Sequence, residues 1–148
     1  MFNWFLKASL QKSVIYFFII IFIILLILTF VLYKIISKEF EQISIKPGFM
    51  KHNGGVLFRT ISETEYEFKS TINENHLNAA GITHGGYLSA LIDAGAGTSA
   101  HRAANGSPCV TISLDLKFIG ASKVGDEITG LTKILKKTNT LIFLFCEL

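Results

Sequence analysis

The sequence predicts an α+β domain, one long helix against an antiparallel sheet, preceded by an N-terminal transmembrane helix. Three observations carry this expectation. Ser13 to Tyr33 is a run of 21 residues without a charge. A single glycine-rich helical stretch, about Gly85 to Ala104, interrupts an otherwise β-type sequence. Two strand-like segments precede that helix and three follow it, the order of a sheet with one helix packed on it.

As a helix, the apolar run would reach about 31 Å, enough to cross the hydrocarbon core of a bilayer. A secretory signal peptide would be shorter and end at small residues, and Tyr33-Lys34-Ile35-Ile36 offers no such site. The whole formal charge of +3 lies in residues 1–46, because residues 47–148 carry nine basic and nine acidic side chains. A neutral domain with no basic run lacks the electrostatic footprint of a nucleic-acid binder. Lys7 and Lys12 precede the apolar run, whereas Lys34, Lys38, Lys46 and Lys51 follow it. The excess after the run places the C-terminal domain on the cytoplasmic side. Cys109 and Cys146 form no metal-ligand spacing with the four histidines, and no metal or cofactor is expected.

The expected organisation is a flank (1–12), the span (13–33), a connector (34–50) and one domain (51–148). The connector, a short amphipathic helix in this reading, ends at Lys46-Pro47-Gly48. "VLFRTI" from Val56 reads as a strand and "SET" as a turn. From Glu65 to Ile72 the residues alternate, with Tyr66, Phe68, Ser70 and Ile72 on one side, as in a half-buried strand. Later strands are expected at Cys109–Ile119, about Glu127–Leu135 and Leu141–Leu148. His52, His76 and His101 read as solvated residues, and Lys133, Lys136 and Lys137 as a charged turn.

The helix itself is unusual. Glycine within a helix costs about 1 kcal/mol against alanine, yet Gly85, Gly86, Gly95 and Gly97 all lie in it. One stripe holds Leu88, Leu91, Ile92, Gly95 and Ser99, and another holds Gly86, Ala90, Asp93, Ala94 and Gly97. So few large side chains predict a helix approached closely and buried on most sides. Asp93 has no cation within a turn, and by itself it reads equally as a solvent-facing carboxylate or as a buried one with a task. At the other end, His84-Gly85-Gly86 bares backbone N–H groups that lack intrahelical acceptors. Such a start suits an oxyanion or anion site, though three residues also fit a simple sharp turn.

The wider pattern is more specific: Asn78, then "GITHGG", then Asp93, then "CVTISLDLKF" after a Gly-Ser-Pro turn. From about Val56 to Leu148 the chain resembles the hotdog-fold acyl-CoA thioesterases of the phenylacetic-acid-pathway (PaaI-like) type, which include the thioesterase superfamily members with the same HGG helix. The resemblance implies a sheet wrapped around the helix and a homodimer or homotetramer with active sites between protomers. It implies that Gly85 N–H and the Asn78 side chain polarise the thioester carbonyl of an acyl-CoA, and that His84 positions the thioester or the leaving thiolate. Asp93 of the neighbouring chain would be general base or nucleophile, with Thr111 orienting the water. Gly86, Tyr87, Leu88 and Phe118 are candidates to contact substrate. The resemblance also implies one further strand after "LIFLFCEL", and does not extend to the apolar run. A non-catalytic, membrane-tethered module binding acyl groups or a protein is the competing expectation.

Overall fold

The computed structural model describes the backbone of residues 2–36 and 39–148 and the side chains of residues 12–33 and 39–148. Two units divide the chain, residues 1–37 and 38–148. The first is one helix, α1 (Phe2–Ile36). Within it Lys12–Tyr33, 22 residues of mean hydropathy 3.4, is long and apolar enough to cross a membrane. Thr29 returns its hydroxyl to the Leu25 carbonyl at 2.5 Å, so its polar group is satisfied inside the helix. Of the lysines counted for orientation, Lys7, Lys34 and Lys38 lie outside the described side chains.

The second unit grows from the alternation seen in the sequence. Strands β1 (Glu41–Ile43), β2 (Val56–Thr60), β3 (Glu65–Thr71), β4 (Glu127–Lys137) and β5 (Ile142–Glu147) form one antiparallel sheet in that order. A short helix, α2 (Phe49–His52), connects β1 to β2. β1 lies within the stretch expected to be only a connector; its Gln42 pairs with Leu57. On β3, Tyr66, Phe68 and Ser70 turn inward, and Ile72 just beyond the strand is also buried. Ladder neighbours across the sheet include Phe58 with Phe68 and Phe68 with Gly130. Opposite charges face each other on the outer side, Arg59 with Glu67 and Lys133 with Glu65, which favours this register at under about 1 kcal/mol per pair. The three lysines expected on a solvated turn are exposed but lie on β4, where Lys136 pairs with Phe143 and Lys137 donates to the Ala103 carbonyl at the end of the long helix.

The long helix α3 (Gly85–Ala103) lies across β2 to β5 and ends before Asn105-Gly106, both at positive φ. Its buried face is Tyr87, Leu91, Ile92, Gly95, Ala96 and Ser99. These meet Val56, Phe58, Tyr66, Phe68 and Ile72 in one core. Gly95 explains itself here. A Cβ at that position would lie 2.3 Å from the Phe68 ring, and one at Gly130 would lie 2.2 Å from the same ring. Phe68, with no exposed surface, therefore fills a slot cut by one helical and one strand glycine.

Two expectations change. The helix is buried on one face only: Gly86 and Asp93 are exposed, and Ala90, Ala94 and Gly97 are half-buried. Residues 109–119 form no ladder with any described strand, although their alternation is strand-like. Val110 and Ile112 stand 87% and 79% exposed, so this segment lacks the buried face that makes alternation productive. Among the described residues β5 pairs with β4 alone and presents a free edge.

Candidate active site

The site is built from the loop before α3. Asn78 organises that loop through its own amide: Oδ1 accepts from Ala80 N at 2.9 Å and from Ile82 N at 3.4 Å, leaving Nδ2 as a donor without an acceptor among the described residues. Thr83, buried, bonds through both N–H and hydroxyl to the Ser122 carbonyl, and Ser122 returns its own hydroxyl to Thr83 at 2.7 Å. This anchors the loop directly before the helix to the turn that precedes β4.

His84 is the N-cap of α3, with Nδ1 accepting from Gly86 N at 2.8 Å. The neutral ring must then carry its proton on Nε2. A side chain at Gly86 would collide with that ring, its Cβ falling 2.9 Å from Nδ1. Of the two bared N–H groups expected at the helix start, Gly86 N–H is therefore occupied. Gly85 N–H has no acceptor among the described residues, and it sits at the positive end of the helix dipole. The Phe118 ring lies beside Gly85, in ordinary contact with the position a Cβ would take.

Asp93 is exposed, and its Oδ1 accepts the Thr111 hydroxyl at 2.5 Å. These two residues, 18 apart in the chain, are brought together. Asp93 and Gly85 are not: eight residues of helix separate them by roughly 12 Å along the axis. One chain cannot present both groups to a single carbonyl.

Leu88, Ile92, Phe118, Ile128, Phe145 and Cys146 line a cleft of about 660 Å³ between α3, residues 115–122 and the end of β5. Leu88 and Phe118, two of the candidates for substrate contact, line this cleft. Tyr87 does not. It is 5% exposed, its hydroxyl bonds Ser70 at 2.7 Å, and burial raises its pKa against that opposing hydrogen bond. The Cys146 thiol is likewise pushed up by burial, more than the Thr132 bond lowers it, so it lacks the thiolate character of a nucleophile. His52 and His101 are exposed as expected, but His76 is a core residue at 1% exposure. Sequence reasoning also passed over Thr83, Ser122 and Asn53. Their roles rest on hydrogen bonds between distant segments, for which one sequence holds no signal.

An antiparallel sheet with one long helix across it, whose start is stripped to glycine behind a His N-cap, defines a hotdog domain. Residues 80–148 match the family model described as the thioesterase superfamily. Acyl-coenzyme A thioesterase 13 of Mus musculus is 26% identical over 102 residues, which are 69% of this chain and 73% of that protein. The Homo sapiens protein of the same name is 29% identical over 77 residues, 52% of this chain and 55% of its own length. Zebra fish thioesterase superfamily member 2 superimposes with a TM-score of 0.60 at 25% identity, covering 67% of this chain and 72% of that structure. Residues 39–148 thus have the fold of the hotdog thioesterases, and the likeness to the thioesterase superfamily covers residues 80–148.

Proposed function

We propose that this domain hydrolyses acyl-CoA thioesters in sites shared between two copies of the chain. The observation that carries the reading is the Gly85 N–H, without an acceptor among the described residues, at the start of a helix whose Asp93–Thr111 pair lies two turns away. Gly85 N–H and Asn78 Nδ2 donate to the thioester carbonyl oxygen, where negative charge develops. Asp93 of the second copy, held by Thr111, takes a proton from water as the water oxygen bonds to the carbonyl carbon. Collapse of the tetrahedral intermediate breaks the C–S bond and releases the acid. His84, with its proton on Nε2, stabilises the departing thiolate by a hydrogen bond, and the proton that Asp93 took from water then passes through solvent to the thiolate. Asp93 as direct nucleophile is the variant of this scheme in which an anhydride precedes water attack.

The small-residue stripe of exposed Gly86 and half-buried Ala90, Ala94 and Gly97 supports close approach of the second helix, in a homodimer or in a tetramer built from two dimers. The acyl chain would enter the cleft bordered by Leu88 and Phe118. Residues 13–33 would anchor the enzyme, and the lysine excess after them favours a cytoplasmic domain. Thiol release from a panel of acyl-CoA substrates tests the activity. Asp93→Ala should reduce kcat by about 10²–10⁴. Equal rates for the variant and wild type would remove Asp93 from this role.

The free β5 edge and the unpaired residues 109–119 favour one other reading, a tethered module that binds acyl groups without turnover. Tight acyl-CoA binding with no thiol released would establish it in place of the first.

A further inference from the structure

His76 joins four parts of the domain. Its Nδ1 accepts from Asn73 N at 3.1 Å, which puts the proton of the neutral ring on Nε2. Nε2 donates to the Asn53 carbonyl, 23 residues away, at 3.0 Å. The ring stacks on Tyr87 in the first turn of α3, with centroids 3.6 Å apart and planes within 9°. Its backbone carbonyl accepts from His84 N at 2.7 Å, and Asn78 follows two residues later.

We propose that His76 is the positioning residue of the site: its neutral imidazole holds the Asn78 loop and the start of α3 in one arrangement, so that Asn78 Nδ2 and Gly85 N–H converge on one oxygen. The role of those two donors rests on the thioesterase reading above; the clamp itself does not. A proton added to Nδ1 would set a second donor against Asn73 N–H, removing one part-buried hydrogen bond and leaving two donors opposed. Burial lowers the pKa of His76, and the Asn53 carbonyl opposes this. The titratable groups on the elements around it are Glu74 on its own turn, Lys51 and His52 on α2, and His84 and Tyr87 on α3. Lys123 and Asp126 lie on the turn bonded to Ile72. None of these enters the causes of the shift, so the ring responds to its burial and backbone partners.

The test uses the full chain in detergent micelles. Nuclear magnetic resonance follows the His76 ring and the amides of Asn78 and Gly85 through an acid titration, while kcat and KM are measured on acyl-CoA over the same range. The expected result is one midpoint, below the ordinary value of 6.5, shared by the His76 ring and both amides. At that midpoint kcat is halved, and roughly one pH unit below it kcat is down about 10-fold, with KM little changed, as for a misplaced donor pair. His76→Gln keeps a donor and an acceptor but cannot titrate, and should lose the shared midpoint from both readouts. Amides that move at another midpoint, or keep theirs in His76→Gln, would overturn the proposal. So would loss of far-ultraviolet circular dichroism in the same pH window, since unfolding would then account for the fall. If His76→Gln does not fold, coincidence of midpoints in the wild type decides. Amides that follow His76 in a protein with no turnover would support the clamp and defeat the thioesterase reading.

Discussion

Replacing Gly95 by alanine sets two known effects against each other. In a bare helix the change is favourable by about 1 kcal/mol, because glycine loses more backbone freedom than alanine. In this domain the new Cβ would lie 2.3 Å from Phe68 Cδ1, 2.4 Å from Cε1 and 2.5 Å from Cγ. Carbon atoms pack at about 3.5–4.0 Å, so the ring would have to retreat by more than about 1 Å. Its retreat is closed, because the far end of the ring already fills the space that a Cβ on Gly130 would take. Overpacking of this kind costs about 1–3 kcal/mol, and a ring trapped on both sides falls at the upper end. The net expectation is destabilisation by about 1–2 kcal/mol, the clash outweighing the helix gain. Chemical denaturation of the full chain in detergent should show a lower midpoint with an unchanged slope. Phe68→Leu, itself destabilising, should cost less in the Gly95→Ala background than in the wild type, the coupling expected of residues in contact. A Gly95→Ala protein as stable as wild type would refute the packing argument.

Gly97 has nothing within 4 Å of a Cβ in the single chain, so Gly97→Ala should stabilise an isolated domain by about 1 kcal/mol. Weaker dimerisation in sedimentation would instead mark it as part of the close helix contact. Asn78→Ala, by removing one oxyanion donor, should lower kcat about 10²–10³-fold, read by thiol release. Mixed one to one and allowed to exchange, Asn78→Ala and Asp93→Ala chains should recover about a quarter of wild-type activity, since half the dimers would carry one intact shared site. No recovery would place both groups in the same chain's site. Because the folded pKa of His76 is lowered, the unfolded chain binds more protons between that value and 6.5. The stability His76 contributes is therefore complete above pH 6.5 and lost as pH falls towards its folded pKa. Denaturation midpoints measured through this window should show the slope in wild type and a shallower one in His76→Gln.

Local pattern set much of this architecture. The period-two alternation of Glu65–Ile72 can be satisfied only with Tyr66, Phe68 and Ser70 on a covered face, and the structure covers them. The helix limits were legible because caps and stop residues act over one turn. The helix start and the Asp93–Thr111 pair were legible by resemblance, since a motif retains a geometry that spacing alone does not reveal. Residues 109–119 mark the opposite case. Their alternation is strand-like, but a strand also needs a neighbour to take its hydrogen bonds, and the described sheet supplies none.

The histidines draw the same boundary more sharply. His76 and His84 lie eight residues apart, and nothing in their neighbours tells which one is buried. By itself the sequence determined the apolar span, the strand alternation and a helix whose glycines bare its N-terminal N–H groups. Only the tertiary structure decided which glycine makes room for Phe68, which N–H remains free, and that His76 is clamped in the core. Each of those outcomes depends on atoms brought together from distant segments. Backbone propensity acts over a few residues, whereas close packing and buried hydrogen bonds are settled only when the whole chain has folded.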